Sequence, residues 1–146
     1  KEIIKYGYIP IGKEEGLELA DYVTIHLPLN DKTKNFIDKE ELKKMKNTAV
    51  LVNTSRGGII NESALFDALN KKNIKSAGID VFENEPPIAD HPFLRLDNIL
   101  LTPHNAALTL ECRKRMAIEA AENIYFFLKY KNKVNSQNLI NHHLFI

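Results

Sequence analysis

The 146 residues predict an α/β protein built on a doubly wound parallel sheet, and two observations carry that prediction. Short β-rich runs recur at residues 22–26, 49–53, 77–81 and 99–102, each nearly all apolar, as expected of strands covered on both faces. Helix-like segments alternate with these runs, and strand-helix-strand order with right-handed crossovers makes a parallel sheet.

Each element has its own justification. The run "YVTIH" is followed by a short helical stretch at 40–45. "AVLVN" leads into "TSRGG", where Gly57 and Gly58 free the backbone beside a lone Arg56. A longer helix is expected over 62–72, with Asn61 as N-cap and Leu65, Ala68 and Leu69 on one stripe. The alternation breaks at residues 82–98, "FENEPPIADHPFLRLDN", whose three prolines forbid a helix of normal length and predict a long ordered loop. The last helix, about 109–130, carries Met116, Ala120, Ile124, Phe127 and Leu128 on an apolar face. After Tyr130 the polar, Asn-rich "KNKVNSQNLINHHLFI" reads as a terminal or docking segment, with His142 and His143 not taken as metal ligands.

Composition narrows the function classes. Twenty basic and nineteen acidic residues leave a formal charge of +1, with the lysines dispersed rather than gathered into a tract. That balance asks for neither nucleic acid nor an anionic membrane. Cys112 is the single cysteine, so there is no disulfide framework, and a reducing, cytoplasmic setting is expected. The apolar stretches are too short to span a bilayer.

In an open α/β sheet, ligands bind beyond the carboxyl ends of the strands. The sequence places Pro28, Arg56, the segment from Asp80 to Glu85, and His104 just after the four runs. Each has a bland alternative: a surface charge beside a glycine turn, an N-cap, a solvated acid, a turn residue after Pro103. Their coincidence at one edge is more telling. A His paired with a carboxylate has a fixed tautomer and a stabilised imidazolium, so it can pass a proton near neutral pH. An Arg offers a planar fork that grips a carboxylate and polarises an adjacent carbonyl. Together they describe proton-coupled reduction of a 2-oxo acid. Ser55 is not set in a G-x-S-x-G elbow, and no metal-ligand spacing occurs.

Three blocks, "NTSRGGIINESAL", "GIDVFENEPP" and "LLTPHNAA", resemble in order and spacing the nucleotide-binding domain of the D-isomer-specific 2-hydroxyacid dehydrogenases, and "ADYVTIHLPLNDKTKNFID" resembles the family's adenosine-side segment. The resemblance runs to about Tyr130. It implies a partial Rossmann-like sheet, NAD as cofactor with NADP not excluded, a small 2-hydroxy or 2-oxo acid as substrate, and a homodimer. By the same resemblance, Arg56 binds the substrate and activates its carbonyl, His104 exchanges the proton, and Glu85 partners the histidine. Glu83 is read as a solvated neighbour. Asp80 is matched to the aspartate that contacts the nicotinamide carboxamide, while Leu27, Pro28, Thr54, Ser55, Asn105, Ala106 and Ala107 line the cofactor cleft along with Arg56. Glu85, an acid rather than an amide, disfavours the formate dehydrogenase branch. "TPHNAALT" departs from the "TPHxGAST" form common in phosphoglycerate dehydrogenases.

The six glycines, at 7, 12, 16, 57, 58 and 78, cannot be drawn into the G-x-G-x-x-G loop that cradles a pyrophosphate at a helix N-terminus. Residues 1–130 are therefore read as an incomplete NAD-binding domain and 131–146 as a polar tail. The glycine loop, the acid that reads the ribose and the substrate domain are expected before Lys1, and a piece without them is expected to bind NAD weakly or not at all and to be inactive alone. The alternative function is a non-catalytic dinucleotide-sensing or oligomer-forming partner-binding domain. Such a domain has no need of Arg56, Glu85 and His104 together.

Overall fold

The computed structural model describes residues 2–130, so the readings made for residues 131–146, His142 and His143 included, lie outside the described residues. The chain divides into two compact units, one ending at Ala106 and the other beginning at Ala107.

The first unit runs α1 (Glu2–Lys5), α2 (Lys13–Leu19), β1 (Tyr22–Ile25), α3 (Lys39–Lys44), β2 (Val50–Asn53), α4 (Glu62–Asn70), β3 (Ser76–Ile79), a 3₁₀ turn (Pro92–Arg95) and β4 (Ile99–Leu101). All four strands are parallel and stand in chain order. Their register places Ile25 beside Asn53, Asn53 beside Ile79, and Ile79 beside Leu101. Every strand thus ends on the same row, and the residues that follow open along one edge. This is the Rossmann-like α/β architecture expected, with α3 and α4 as the first two crossovers and the proline-rich loop as the third.

The cover expected on both faces of the apolar runs is incomplete: Tyr22 of β1 and Leu100 of β4 are 81% and 69% exposed. Ile25, Leu51, Ala77 and Ile79 lie inside with Leu42 of α3 and Leu65, Ala68 and Leu69 of α4, and Phe93 closes the core from the 3₁₀ turn. Helices α2 and α3 join through Lys13–Glu41 (2.7 Å) and Lys44–Glu14 (2.8 Å). These pairs are partly solvated and add little to stability. The expected strands 77–81 and 99–102 end early, at Ile79 and Leu101, because the chain turns to surround Asp80. Backbone pairing still continues for one step, from Asp80 N–H to Asn53 O (3.0 Å) and from Thr102 N–H to Ile79 O (3.0 Å). Helices α1 and α2 had no counterpart in the sequence reading.

The second unit contains α5 (Leu110–Tyr130), which starts one residue later than expected. Thr109 caps it, its hydroxyl accepting from Cys112 N–H at 3.2 Å. Met116, Ile124 and Leu128 are exposed along it. Among the described residues no helix is long and apolar enough to cross a membrane.

Asn61 caps α4 as predicted, its side-chain oxygen accepting from Ala64 N–H at 3.0 Å. Asn61→Ala is expected to lower the unfolding free energy by about 1 kcal/mol and Asn61→Asp by less. Urea denaturation checks this, and an unchanged midpoint for the alanine variant would contradict it.

Candidate active site

The exit from β2 is shaped by Asn53, a polar side chain only 2% exposed. Its Oδ1 accepts from Ser55 N–H (3.0 Å) and from the Ser55 hydroxyl (2.7 Å), while its amide donates to Arg56 O (2.9 Å). An asparagine folded back on its own chain makes a fixed turn, and this one leaves Arg56 exposed at the tip. The guanidinium donates from Nη1 to Ser55 O at 2.6 Å, occupying one of its five donors. Gly57 then passes so close to the next strand exit that a Cβ there would lie 1.8 Å from the carbonyl oxygen of Phe82. Gly58 adopts φ +76°, which a side chain disfavours. The two glycines let the arginine turn press against the start of the proline-rich loop.

Just after β3, Asp80 is only 3% exposed. Oδ1 accepts from the Thr102 hydroxyl (2.5 Å) and Asn105 N–H (2.9 Å), and Oδ2 accepts from Ala106 N–H (3.0 Å). Burial opposes its charge most strongly, yet the Thr102 hydroxyl, the Ala106 and Asn105 amides and His104 together hold the carboxyl below the ordinary aspartate range. Its backbone oxygen also accepts from His104 N–H at 2.9 Å. Asp80, the residue after β3, therefore holds the chain on both sides of His104.

His104 sits at φ +53°, a left-handed conformation that costs a non-glycine residue about 1 kcal/mol. The bonds to Asp80 offset that strain and turn the imidazole toward Glu85. The distance from His104 Nδ1 to Glu85 Oε2 is 2.7 Å. Because a carboxylate only accepts, Nδ1 carries the proton and Nε2 is the nitrogen left for a reacting group. Glu85 Oε1 accepts from Phe82 N–H at 2.9 Å. The His104 bond first, and the Phe82 amide second, hold the Glu85 carboxyl below the usual glutamate range against burial. An open groove lined by Phe82, Glu85, Leu94, Leu101 and His104 runs beside the pair.

The other residues singled out from sequence, Ala107 apart, fall along the same edge. After β1, Leu27 is half-buried and Pro28 exposed, with Pro28 O accepting from the Thr33 hydroxyl at 2.6 Å. Thr54 is exposed and Ser55 half-buried on the Asn53 turn, while Asn105 and Ala106 are exposed on the Asp80 turn. Ala107 opens the second unit. Glu83, read as solvated, is exposed but accepts from Glu62 N–H at 3.3 Å. The sequence reading missed Asn53, Thr102, Glu62 and His91 as organisers. Only Asn53 left a local signal, an Asn at a strand end with Ser two residues on.

A parallel sheet whose aligned strand ends present an arginine and a carboxylate-paired histidine places its candidate site where open α/β domains bind ligands. The family model described as "D-isomer specific 2-hydroxyacid dehydrogenase, NAD binding domain" matches residues 2–106, and the chain belongs to this family. It is 44% identical over 134 residues to a glyoxylate reductase of Korarchaeum cryptofilum, covering 92% of this chain and 39% of that protein. A D-3-phosphoglycerate dehydrogenase of Methanocaldococcus jannaschii is 41% identical over 94% of this chain and 29% of its own length. Among solved structures, a D-lactate dehydrogenase from Sporolactobacillus sp. superposes with a TM-score of 0.83 at 31% identity, covering 91% of this chain and 44% of that one. The chain thus spans less than half the length of these relatives.

Because the Asp80 carboxyl is held below its ordinary value, it contributes stability that is full above that value, about 3.9, and lost as pH falls through the folded one. Asp80→Asn is expected to cost about 1–3 kcal/mol at pH 7, with the gap from wild type narrowing below about pH 4. Urea unfolding across pH measures it; a gap that does not vary with pH would contradict the assignment.

Proposed function

We propose that this chain forms the catalytic side of the cofactor domain in an NAD(P)-dependent oxidoreductase that interconverts D-2-hydroxy acids and 2-oxo acids. The observation that carries the reading is the 2.7 Å contact between Glu85 and His104 at the strand-end edge that also bears Arg56. Arg56 exchanges its bond to Ser55 O for a two-pronged grip on the substrate carboxylate and polarises the adjacent carbonyl. His104, with Nδ1 held by Glu85, delivers the Nε2 proton to the carbonyl oxygen during reduction and takes it back during oxidation. Glu85 keeps the ring oriented and stabilises the imidazolium.

The residues present fit the nicotinamide end of the cofactor. Asp80 Oδ2 accepts a single amide and retains capacity for another donor such as a carboxamide. Leu27, Pro28, Thr54, Ser55, Asn105 and Ala106 supply a lining of small, polar and apolar side chains. When bound, the reduced nicotinamide supplies a hydride to the substrate α-carbon. The lone Cys112 supports a reducing, cytoplasmic setting, and the exposed apolar residues of α5 support association with a second copy.

In the full-length protein carrying this chain, His104→Ala is expected to lower kcat for 2-oxo acid reduction by about 10²–10⁴-fold. Arg56→Ala is expected to raise KM for the oxo acid and to lower kcat as well, because the carboxylate grip and the carbonyl polarisation are lost together. Steady-state kinetics test both, and a His104→Ala enzyme that turns over normally would remove the proton-transfer role.

A further inference from the structure

Beside the proposed acid-base pair the structure holds a second histidine-glutamate pair, which that chemistry does not use. Glu62, the first residue of α4, reaches His91 with Oε2 at 3.2 Å from Nε2. Its other oxygen, Oε1, accepts from Glu83 N–H at 2.7 Å, and Glu62 N–H returns a bond to Glu83 Oε1 at 3.3 Å. One carboxylate therefore clasps residue 83 and residue 91, the two ends of the loop that contains Glu85. The pair is well shielded, with side-chain exposures of 12% for His91 and 20% for Glu62, against 50% for His104.

The tautomer of His91 follows from its partners. Phe93 N–H donates to Nδ1 at 3.3 Å, so that nitrogen is the acceptor and Nε2 carries the proton given to Glu62. The ring is wedged edge-on between Phe82, with centroids 5.4 Å apart, and Phe93, at 4.9 Å. Phe82 is the residue whose N–H holds Glu85 Oε1, and whose carbonyl is pressed by Gly57. A continuous set of contacts thus leads from Glu62 through His91 and Phe82 to the carboxylate that orients His104.

We infer that Glu62 and His91 are positioning residues, a clasp that fixes the 83–91 loop so that Glu85 meets His104 at hydrogen-bond distance. The inference rests on the proton-transfer role proposed for His104, but the clasp can be read without turnover. Glu85 is faced by His104, the Phe82 amide and the more distant Asp80 carboxylate, so its titration reports the placement of the loop. Glu62→Gln is nearly isosteric, yet an amide can accept from Glu83 N–H only by turning its own donors toward His91 Nε2–H, so one leg of the clasp is lost. His91→Phe keeps an aromatic ring between Phe82 and Phe93 and removes the leg from the other side.

Carboxyl-carbon NMR of this chain would follow the Glu85 titration in wild type and in both variants, with the amide spectrum establishing that each is folded. The clasp predicts that either variant moves the Glu85 midpoint up by about half a pH unit or more, toward its ordinary value. In the full-length protein the same variants should lower kcat about tenfold with little change in KM, as expected for a lost transition-state interaction. A Glu85 midpoint that stays put in a folded variant overturns the inference. A midpoint that moves in a protein whose wild type reduces no 2-oxo acid upholds the clasp and refutes the proposed function instead.

Discussion

Where β4 leaves the sheet is decided by Asp80, whose buried carboxylate takes the Thr102 hydroxyl and the Asn105 and Ala106 amides while its backbone oxygen takes His104 N–H. Burying a charge is costly unless polar partners satisfy it, so the chain after Leu101 must come to the carboxylate. That requirement stops the strand, forces His104 into the left-handed region and turns its ring toward the proline-rich loop. The in-phase register of the four strands does the rest. It brings the exits of β2, β3 and β4 to one row, so that a turn on one strand can touch a turn on the next.

The coupling between neighbouring exits is steric as well as polar. Gly57 has no Cβ because the Phe82 carbonyl occupies the space it would need. The turn that presents Arg56 and the loop that presents Glu85 are consequently packed as one surface. Asn53 holds the first of these and Glu62 closes the second, which leaves the exposed groups resting on supports that are themselves buried or half-buried. Exposed side chains on rigid supports are the arrangement expected of a preorganised site.

The four apolar, β-rich runs made the sheet legible, although β1 and β4 expose Tyr22 and Leu100 rather than burying both faces. Arg56, Glu85 and His104 were legible because chemistry in such a sheet gathers after the strands, and the three sequence blocks reinforced that reading. The supports were not legible. Thr102, Glu62 and His91 act across 22, 21 and 29 residues of chain, respectively, on Asp80, Glu83 and again Glu62. No local periodicity records bonds of that span. Glu83, read as a solvated neighbour, is exposed as expected, but its pairing with Glu62 depends on where α4 begins in space. The end of β3 was placed two residues late because Val81 stays buried, and so reads as strand, after the ladder has ended.

The most direct test of this account is a high-resolution crystal structure of the full-length protein carrying this chain, bound to NADH and a 2-oxo acid mimic such as oxamate. The account predicts that the Glu85–His104 contact remains near 2.7 Å, that the Arg56 guanidinium leaves Ser55 O for the ligand carboxylate, and that His104 Nε2 faces the ligand carbonyl oxygen. A mimic bound away from Arg56, or a His104 ring turned from both Glu85 and the ligand, would contradict it.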